Sequence, residues 1–276
     1  MISTTYSFPP RPVTPLGILA EKLEQAVHLI EKTEIPIEIS DLIDQAYQLA
    51  AGLDPYLEHA TTQESAALAL LAKKTRQEPW NQRFSDGETI RHLEQEMLSG
   101  HIEGQTLKLL VQMMGARRVL EIGLFTGYSA LAIAEGLPID GELIACEVDE
   151  YVAKFALNCF AISPHGEKII VKVAPALVTM SYLAELGEQF DFVFIDADKK
   201  EYIEYFNRLL ESNLLMPNAV ICVDNTLFQG QPYLPAEYQT ENGRAIAKFN
   251  QVVANDPRVE QVLLPLRDGL TLIRCL

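Results

Sequence analysis

The sequence has 276 residues, of which 48% are hydrophobic and 22% charged, with a formal net charge of −16. This length predicts one or two domains with a large core, and the negative charge argues against nucleic acid or an anionic membrane as a partner. No apolar stretch resembles a secretory leader or could span a bilayer, so we expect a cytoplasmic protein. The four cysteines lack Cys-x-x-Cys spacing and are interpreted as buried thiols.

The first hundred residues are predicted to be helical beyond a proline-rich start. Residues 1–16 contain four prolines and predict an irregular arm. Apolar residues at helical spacing predict four helices, over 16–32, 42–53, 62–76 and 88–98. Thr61 or Thr62 is the predicted cap of the third helix. We expect the helical section, 17–100, to cover one flank of the core or to pack on a dimer partner.

From residue 101 to residue 276 the pattern predicts one α/β domain, which a helix over 104–114 opens. Apolar runs predict strands near 117–123, 141–148, 168–174, 190–197 and 219–225. Helices are predicted near 129–136, 150–161, 176–187, 200–213 and 241–255. This alternation predicts a mostly parallel sheet. Asp268-Gly269 separates two further apolar runs and predicts a C-terminal hairpin, with an antiparallel last strand.

The first predicted strand leads into a glycine turn and a helix, which is how nucleotide-binding α/β units begin. The spacing is Glu-x-Gly-x-x-x-Gly, with Glu121, Gly123 and Gly127, and not Gly-x-Gly-x-x-Gly. A carboxylate at Glu121 would repel the pyrophosphate of a dinucleotide, which favours the positive end of a helix. A cationic ligand without phosphates, such as S-adenosylmethionine, fits better. An ordinary buried strand with a glycine turn is the alternative.

Ligands of such a sheet bind beyond the carboxyl ends of its strands. Glu147 ends the second strand and could accept both hydroxyls of a ribose, whereas Asp149 is interpreted as a helix cap. Ala174, Pro175 and Ala176 follow the third strand and could border an adenine. The second strand end therefore predicts a nucleoside site.

The next two strand ends predict a metal site. Asp196 ends the fourth strand, and Asp224 and Asn225 end the fifth. Two carboxylates and an amide oxygen suit Mg²⁺ or a similar divalent cation. Without a cation, two adjacent carboxylates would repel each other and one would hold a proton. The alternative is that these residues are loop or cap residues, as Asp198 could also be.

Lys199 is a candidate base because it follows Asp196 by three residues. A divalent cation beside it would disfavour the ammonium form and lower its pKa. A neutral Lys199 could then accept a proton from a hydroxyl. The alternative is a solvated lysine at a helix start, which is our interpretation of Lys200.

Together these residues resemble the cation-dependent O-methyltransferases of the caffeoyl-CoA and catechol type. The motifs are M-L-S-G-H-I-E-G-Q (97–105), V-L-E-I-G-L-F-T-G-Y-S-A-L (119–131), A-C-E-V-D (145–149), V-F-I-D-A-D-K-K-E-Y (193–202), V-D-N-T-L (223–227) and D-P-R-V-E-Q-V-L-L-P-L-R-D-G-L-T-L (256–272). The resemblance implies a class I methyltransferase sheet, S-adenosylmethionine as methyl donor and a homodimer. It also implies a divalent cation, Mg²⁺ with Ca²⁺ or Mn²⁺ as alternatives.

The resemblance also implies residue roles, motif by motif. The implied contacts to the methyl donor are Met97, Ser99, Glu121, Gly123, Ser129, Glu147, Ala176 and Asp196. The implied metal ligands are Asp196, Asp224 and Asn225. Lys199 matches the proposed base of the family, and with Asp196 forms the implied catalytic pair.

Two features depart from that pattern: an extra segment, 81–96, follows Pro79-Trp80, and the N-terminal arm and first helix are extra. With L-D-P-Y-L (53–57), R-F-S-D-G-E-T (83–89) and Q-G-Q-P-Y-L-P (229–235), they are similar to cyanobacterial O-methyltransferases of mycosporine biosynthesis. That similarity implies demethyl-4-deoxygadusol as acceptor and 4-deoxygadusol as product. We expect the loop 226–240 to line the acceptor pocket.

Three alternatives stay open from the sequence. One is a catechol or caffeoyl-type phenolic O-methyltransferase of broad specificity. Another is a metal-free, Rossmann-like dinucleotide-binding protein, which would bind NAD and would not respond to a chelator. The third is a non-catalytic interaction protein built on the helical N-terminal section.

Overall fold

A computed structural model of the protein describes residues 11–276. Its sheet has the strand order β3-β2-β1-β4-β5-β7-β6. The strands are β1 (Arg118–Ile122), β2 (Glu142–Glu147), β3 (Ile169–Val173), β4 (Phe190–Ile195), β5 (Leu215–Asp224), β6 (Val259–Leu264) and β7 (Leu270–Cys275). The first five are parallel, and β7 runs antiparallel to both β5 and β6. The predicted α/β fold, with its antiparallel C-terminal hairpin, is confirmed.

Helices cover both faces of this sheet. They are α1 (Pro15–Ile30), α2 (Ile37–Ala60), α3 (Ala66–Gln77), α4 (Trp80–Ser85), α5 (Gly100–Met114), α6 (Tyr128–Gly136), α7 (Glu150–Phe160), α8 (Ala176–Glu185), α9 (Tyr202–Glu211) and α10 (Glu241–Ala254). Side chains alternate between the two faces of a strand. Val119 accordingly packs with α5 and α6, while Leu120 packs with α8, α9 and α10. A parallel sheet that is buried on both faces leaves its strand ends as the place for a ligand.

The helix predicted over 88–98 is wrong. The segment is irregular up to a short 3₁₀ turn, Gln95–Met97. Its backbone is held by the domain instead: the Ile90 N–H donates to Asp149 Oδ2 at 2.8 Å, and Leu93 is buried beside Trp80. These tertiary contacts replace the helical hydrogen bonds that the apolar spacing predicted.

The helix caps also differ from the prediction. Helix α3 is capped by Ser65, whose Oγ accepts from the Leu68 N–H at 3.2 Å, and not by Thr61 or Thr62. Helix α1 begins inside the predicted arm, because Pro15 suits a first helical turn and Thr14 caps it. Residues 1–10 of that arm lie outside the described residues.

The N-terminal helices differ in how they meet the core. Helix α1 buries no residue, and α2 buries Ala50 alone. Leu29, Leu42 and Leu49 are 67%, 66% and 79% exposed. Helix α3, in contrast, buries Leu68 and Leu71 in the core beside α5 and α6. No helix within residues 11–276 is long and apolar enough to cross a membrane.

Two truncations should distinguish the contribution of α1 and α2 to stability from that of α3. Deleting residues 1–60 removes α1 and α2, which bury Ala50 alone within the chain, and should lower the melting temperature less than a deletion that reaches the core. Deleting residues 1–78 also removes α3 and the burial of Leu68 and Leu71, each worth about 1.5–3 kcal/mol. That loss is comparable to the whole stability of many domains, so the shorter protein should aggregate. Circular dichroism melting and size-exclusion chromatography would measure both effects. Equal melting temperatures for the two truncations would contradict the assignment of α3 to the core.

Candidate active site

A cavity of about 890 Å³ opens at the carboxyl ends of the parallel strands. Residues that follow or end β1 to β5 line it together with the irregular segment after α4. The predicted site residues on its wall are Met97, Ser99, Gly123, Glu147, Ala176, Asp196, Lys199, Asp224 and Asn225. The topology thus brings residues more than a hundred positions apart into one pocket, as expected for this kind of sheet.

Glu147 is held rigidly at the wall by backbone donors. Its carboxylate accepts from the N–H groups of Phe125, Val148 and Asp149 at 2.9, 2.8 and 3.0 Å. Burial raises the pKa of Glu147, although these three hydrogen bonds act in the opposite direction. Asp149 instead caps α7 through the N–H groups of Tyr151 and Val152, as predicted. Both residues line the cavity, but the side chain of Asp149 is engaged in capping, which leaves Glu147 as the candidate ribose acceptor.

Glu121 and Ser129 lie beneath the wall and do not contribute to it. Glu121 is fully buried, and its Oε1 accepts a hydrogen bond from Ser129 Oγ. Burial raises the pKa of Glu121 to about 8, so the side chain is largely protonated at neutral pH in this arrangement. The predicted repulsion of a pyrophosphate is correspondingly weaker. Oε2 has no partner among the described residues, so this carboxyl keeps one unused hydrogen-bonding oxygen behind the wall.

Gly123 brings β1 and β4 together at the cavity floor. Its φ is +95°, and a Cβ atom there would lie 2.0 Å from the carbonyl oxygen of Asp196. A side chain is therefore excluded on two grounds, conformation and space. Any other residue would push apart the two strand ends that carry Glu121 and Asp196.

Lys199 connects the ends of β4 and β5. Its Nζ donates to Asp196 Oδ1 and to Tyr202 Oη, both at 2.8 Å. Tyr202 Oη in turn donates to the backbone carbonyl of Asp224 at 3.2 Å. These contacts fix the amine against the carboxylate of Asp196 and, through Tyr202, beside the backbone of Asp224.

The pKa shifts of Asp224 and Lys199 indicate an excess of negative charge at these two strand ends. Burial raises the pKa of Asp224 to about 7, and Asp196 adds to the shift. Burial lowers the pKa of Lys199, but the carboxylates of Asp196 and Asp224 outweigh it, so the net shift is upward. The predicted fall in the pKa of Lys199 requires a cation on those carboxylates and stays a prediction.

The predicted metal ligands lie on the same wall of the cavity. Within residues 11–276, no three His, Cys, Asp or Glu side chains converge as a metal site. The predicted set has two carboxylates, Asp196 and Asp224, and an amide, Asn225, all on the cavity wall. Three oxygen donors that leave positions for water or substrate fit Mg²⁺ chemistry.

The neighbouring polar residues have structural roles. Asp198 caps the short turn Lys199–Glu201 by accepting from the Lys200 N–H at 3.1 Å. Lys200 forms an exposed ion pair with Glu241 at 2.8 Å, in agreement with its interpretation as a solvated lysine. Asp198 and Lys200 are therefore not catalytic candidates, and Asp196 and Lys199 stay the predicted catalytic pair.

Comparison with known proteins shows which chemistry this geometry serves. The family model of the O-methyltransferases matches residues 83–276, which is more than half of the chain. The chain belongs to this O-methyltransferase family. It is an S-adenosylmethionine-dependent O-methyltransferase, and the dinucleotide-binding and non-catalytic alternatives are therefore wrong.

Relatives and solved structures agree with this assignment. Caffeoyl-CoA O-methyltransferase 1 from Eucalyptus globulus is 36% identical over 193 residues, covering 67% of this chain and 78% of that protein. Tricin synthase 2 from Oryza sativa subsp. japonica is 37% identical over 194 residues, covering 67% and 66%. The methyltransferase PaMTH1 from Podospora anserina, bound to SAH, superposes with a TM-score of 0.69 at 28% identity, covering 83% and 96%. TomG from Streptomyces achromogenes, in complex with SAM, gives 0.67 at 28% identity, covering 81% and 96%.

Three residues of the O-methyltransferase cavity region escaped the sequence prediction. Tyr202, from α9, holds Lys199. Glu103, from α5, and Arg267, from the turn between β6 and β7, line the cavity and contact each other. Glu103 has a signal in the sequence, because it shares the i, i+4, i+8 stripe of the buried Leu107 and Val111. A charged residue on a buried stripe indicates a specific role.

Replacing Glu147 should weaken binding of the methyl donor. Glu147→Ala removes the proposed ribose acceptor and should reduce S-adenosylmethionine affinity by about 2 kcal/mol, the scale of a charge-assisted hydrogen bond. Glu147→Gln, which keeps one acceptor oxygen, should lose less. Isothermal titration calorimetry would measure both. Unchanged affinity in Glu147→Ala, or comparable binding of NAD by the wild type, would contradict the assignment.

Proposed function

We propose that this O-methyltransferase depends on a divalent cation and methylates one of two adjacent oxygens of a small acceptor. The acceptor that we propose is demethyl-4-deoxygadusol, and the product 4-deoxygadusol. The observation that carries the proposal is the convergence of Asp196, Lys199, Asp224 and Asn225 in the cavity that also contains Glu147.

The chain supplies two adjoining subsites in this proposal. The donor subsite that we propose has Met97, Ser99, Gly123, Glu147, Ala176 and Asp196 on the cavity wall, with Glu121 and Ser129 behind it. S-adenosylmethionine supplies the methyl group when bound there. Asp196, Asp224 and Asn225 would hold the cation, which would acidify the acceptor hydroxyl and fix both acceptor oxygens.

The catalytic contribution of the chain is positioning and proton removal. Lys199 Nζ lies in the cavity and is fixed by Asp196 and Tyr202. In the proposal it removes the proton of the acceptor hydroxyl, with Asp196 orienting it. Holding donor and acceptor in one cavity supplies a further large part of the acceleration, since the transfer becomes effectively unimolecular.

Two segments outside the parallel strand ends also line the cavity. Ile90, Arg91 and Leu93, from the extra segment 81–96, line the cavity, as do Phe228 and Gln229 from the loop 226–240. The loop 226–240 therefore contributes to the wall beside the proposed metal ligands, where we propose that the acceptor binds. The second candidate is a catechol or caffeoyl-type acceptor, which the relatives named caffeoyl-CoA O-methyltransferase favour.

A homodimer is part of the same proposal. The hairpin of α1 and α2 carries the exposed leucines described above, and a second copy would cover them. The methyltransferase domain, 101–276, would then contain the chemistry, and the helical section, 17–100, would supply α3 to the core and the hairpin to the dimer. Light scattering of the wild type and of the protein lacking residues 1–60 would test this.

Product identification tests the reaction. The enzyme is incubated with S-adenosylmethionine, Mg²⁺ and either demethyl-4-deoxygadusol or a panel of catechols. The products are then identified from their masses by mass spectrometry. We expect one added methyl group, with the highest kcat/KM for demethyl-4-deoxygadusol. A higher kcat/KM for a catechol would favour the second candidate, and no methylation of any vicinal diol or enol would overturn the acceptor class.

A further inference from the structure

We propose that Arg267 is the specificity-determining residue that binds an anionic oxygen of the acceptor. The class of acceptor that it selects is a vicinal diol or enol with a negative charge, such as a carboxylate or an ionised enol. The inference rests on the proposed function only in placing the acceptor in this cavity.

The backbone of Arg267 is the first observation. Among residues 11–276, the non-glycine residues with positive φ are Phe125, Asn218, Asn225, Phe228, Gln229 and Arg267. All except Asn218 line the cavity. Arg267, with φ of +49°, occupies a turn position that glycine would adopt without strain. A long cationic side chain kept in that conformation, at the wall of a ligand cavity, indicates a functional constraint.

The turn that carries Arg267 is fastened to the segment following the predicted metal set. The carbonyl oxygen of Asp268 accepts from the Leu227 N–H at 2.8 Å, and its Oδ1 accepts from the Gln229 N–H at 2.5 Å. The carbonyl of Gly269 accepts from the Thr226 N–H at 3.0 Å. Arg267 is therefore held rigidly beside the end of β5 and the loop that we expect to contact the acceptor.

The sheet order places the turn of Arg267 on the side of the proposed acceptor, while its guanidinium reaches the Leu98 carbonyl at the edge of the proposed donor subsite. Strand β7 adjoins β5 on the side away from β1 and β2. The strand ends of β1 and β2 carry Glu121 and Glu147, the acidic residues of the proposed donor subsite. The turn that carries Arg267, in contrast, is bonded to Thr226 and Leu227, which follow Asp224 and Asn225 directly.

The guanidinium of Arg267 has N–H donors that no described residue accepts. Its Nη1 donates to the Leu98 carbonyl at 3.2 Å and to Glu103 Oε2 at 3.3 Å. Both are long for charge-assisted hydrogen bonds, which prefer about 2.7–2.9 Å. Nε and Nη2 have no partner within residues 11–276, and the side chain is 27% exposed on the cavity wall. A planar fork of this kind matches an anionic oxygen pair.

Charge balance for Glu103 is the competing role for Arg267. Glu103 is 1% exposed, and its Oε1 is unpaired among the described residues. Burial, followed by the nearby Asp224, raises the pKa of Glu103 well above its usual range, whereas the charge of Arg267 lowers it. The contact between Arg267 and Glu103 is single and long, whereas a strong ion pair would be short and bidentate. Glu103 therefore leaves most of the guanidinium unused.

Two matched probes test the proposal. The probes are 3,4-dihydroxybenzoate and 3,4-dihydroxybenzamide, which share the vicinal diol and differ in charge. Binding is measured by calorimetry to the full chain saturated with S-adenosylhomocysteine and Mg²⁺, and turnover is measured in parallel. The wild type should bind the benzoate about tenfold more tightly. Arg267→Gln should lose that preference, raising KM for the benzoate about tenfold while kcat and the benzamide change less than about twofold.

Two further variants separate recognition from structure. Arg267→Gly suits the left-handed backbone, so it should fold with an unchanged or higher melting temperature and still lose the preference. Glu103→Gln removes the acidic partner of Arg267 and should retain the preference for the benzoate. Loss of the preference in Glu103→Gln, equal effects on both probes, or weaker binding of S-adenosylmethionine in Arg267→Gln would overturn the proposal, as would a wild type that binds neither probe. Charge-selective binding by the wild type that needs Arg267 but yields no methylation would overturn only the proposed function.

Discussion

EDTA should abolish methyl transfer by the wild-type enzyme, and excess Mg²⁺ should restore it. The expectation follows from the oxygen donors of Asp196, Asp224 and Asn225, which meet on one cavity wall. Asp224→Ala should likewise remove activity at saturating Mg²⁺, with a loss of several orders of magnitude. Affinity for S-adenosylmethionine should change little in this variant, because the donor subsite lies mainly at the ends of β1 and β2. Initial rates and calorimetry measure the two effects separately.

Asp191→Asn is a matched control for Asp224→Ala. Asp191 stands near the start of β4, where it accepts from the N–H groups of Arg117 and Arg118 at 2.7 and 2.8 Å, away from the strand ends that carry the site. Its replacement should leave the Mg²⁺ requirement unchanged. Full activity of the wild type in EDTA would rule out the cation.

The fold was predictable because its signals are local. Each strand of the parallel sheet is a short apolar run between glycine or polar residues, and each crossover helix has its own periodicity. The turn at Asp268-Gly269 specified the antiparallel end in the same way. The segment 88–98 was predicted wrongly because Ile90 and Leu93 satisfy their backbone and apolar groups against α7, and nothing in their own spacing records that contact.

The site was predictable to the extent that topology fixes it. Asp196 and Asp224 end adjacent parallel strands, so the sheet alone places them together. Arg267 and Glu103 are 164 positions apart, on a hairpin turn and a helix, and their meeting depends on how α5 packs against the sheet. Such contacts follow from tertiary packing, which the sequence pattern does not specify.

Lys199→Ala should lower kcat about 10²-fold at neutral pH, the usual scale for a lost general base. Part of the loss should return at higher pH, where the acceptor hydroxyl ionises without the amine. Lys199 is a specific target because Asp196 and Tyr202 hold its Nζ at 2.8 Å inside the cavity. Rates from pH 6 to 10, at saturating donor and Mg²⁺, would measure the deficit and its recovery.

Two variants distinguish proton removal from positive charge at this position. Lys199→Arg keeps the charge but cannot release a proton at these pH values, so it should be as impaired as Lys199→Ala. Tyr202→Phe removes one of the two contacts that orient the amine and should lower kcat by a smaller factor, with the pH dependence of the wild type. A Lys199→Arg enzyme close to wild type would assign the residue an electrostatic role. Normal kcat in Lys199→Ala at neutral pH would assign the proton to solvent, while the cation requirement would be unaffected.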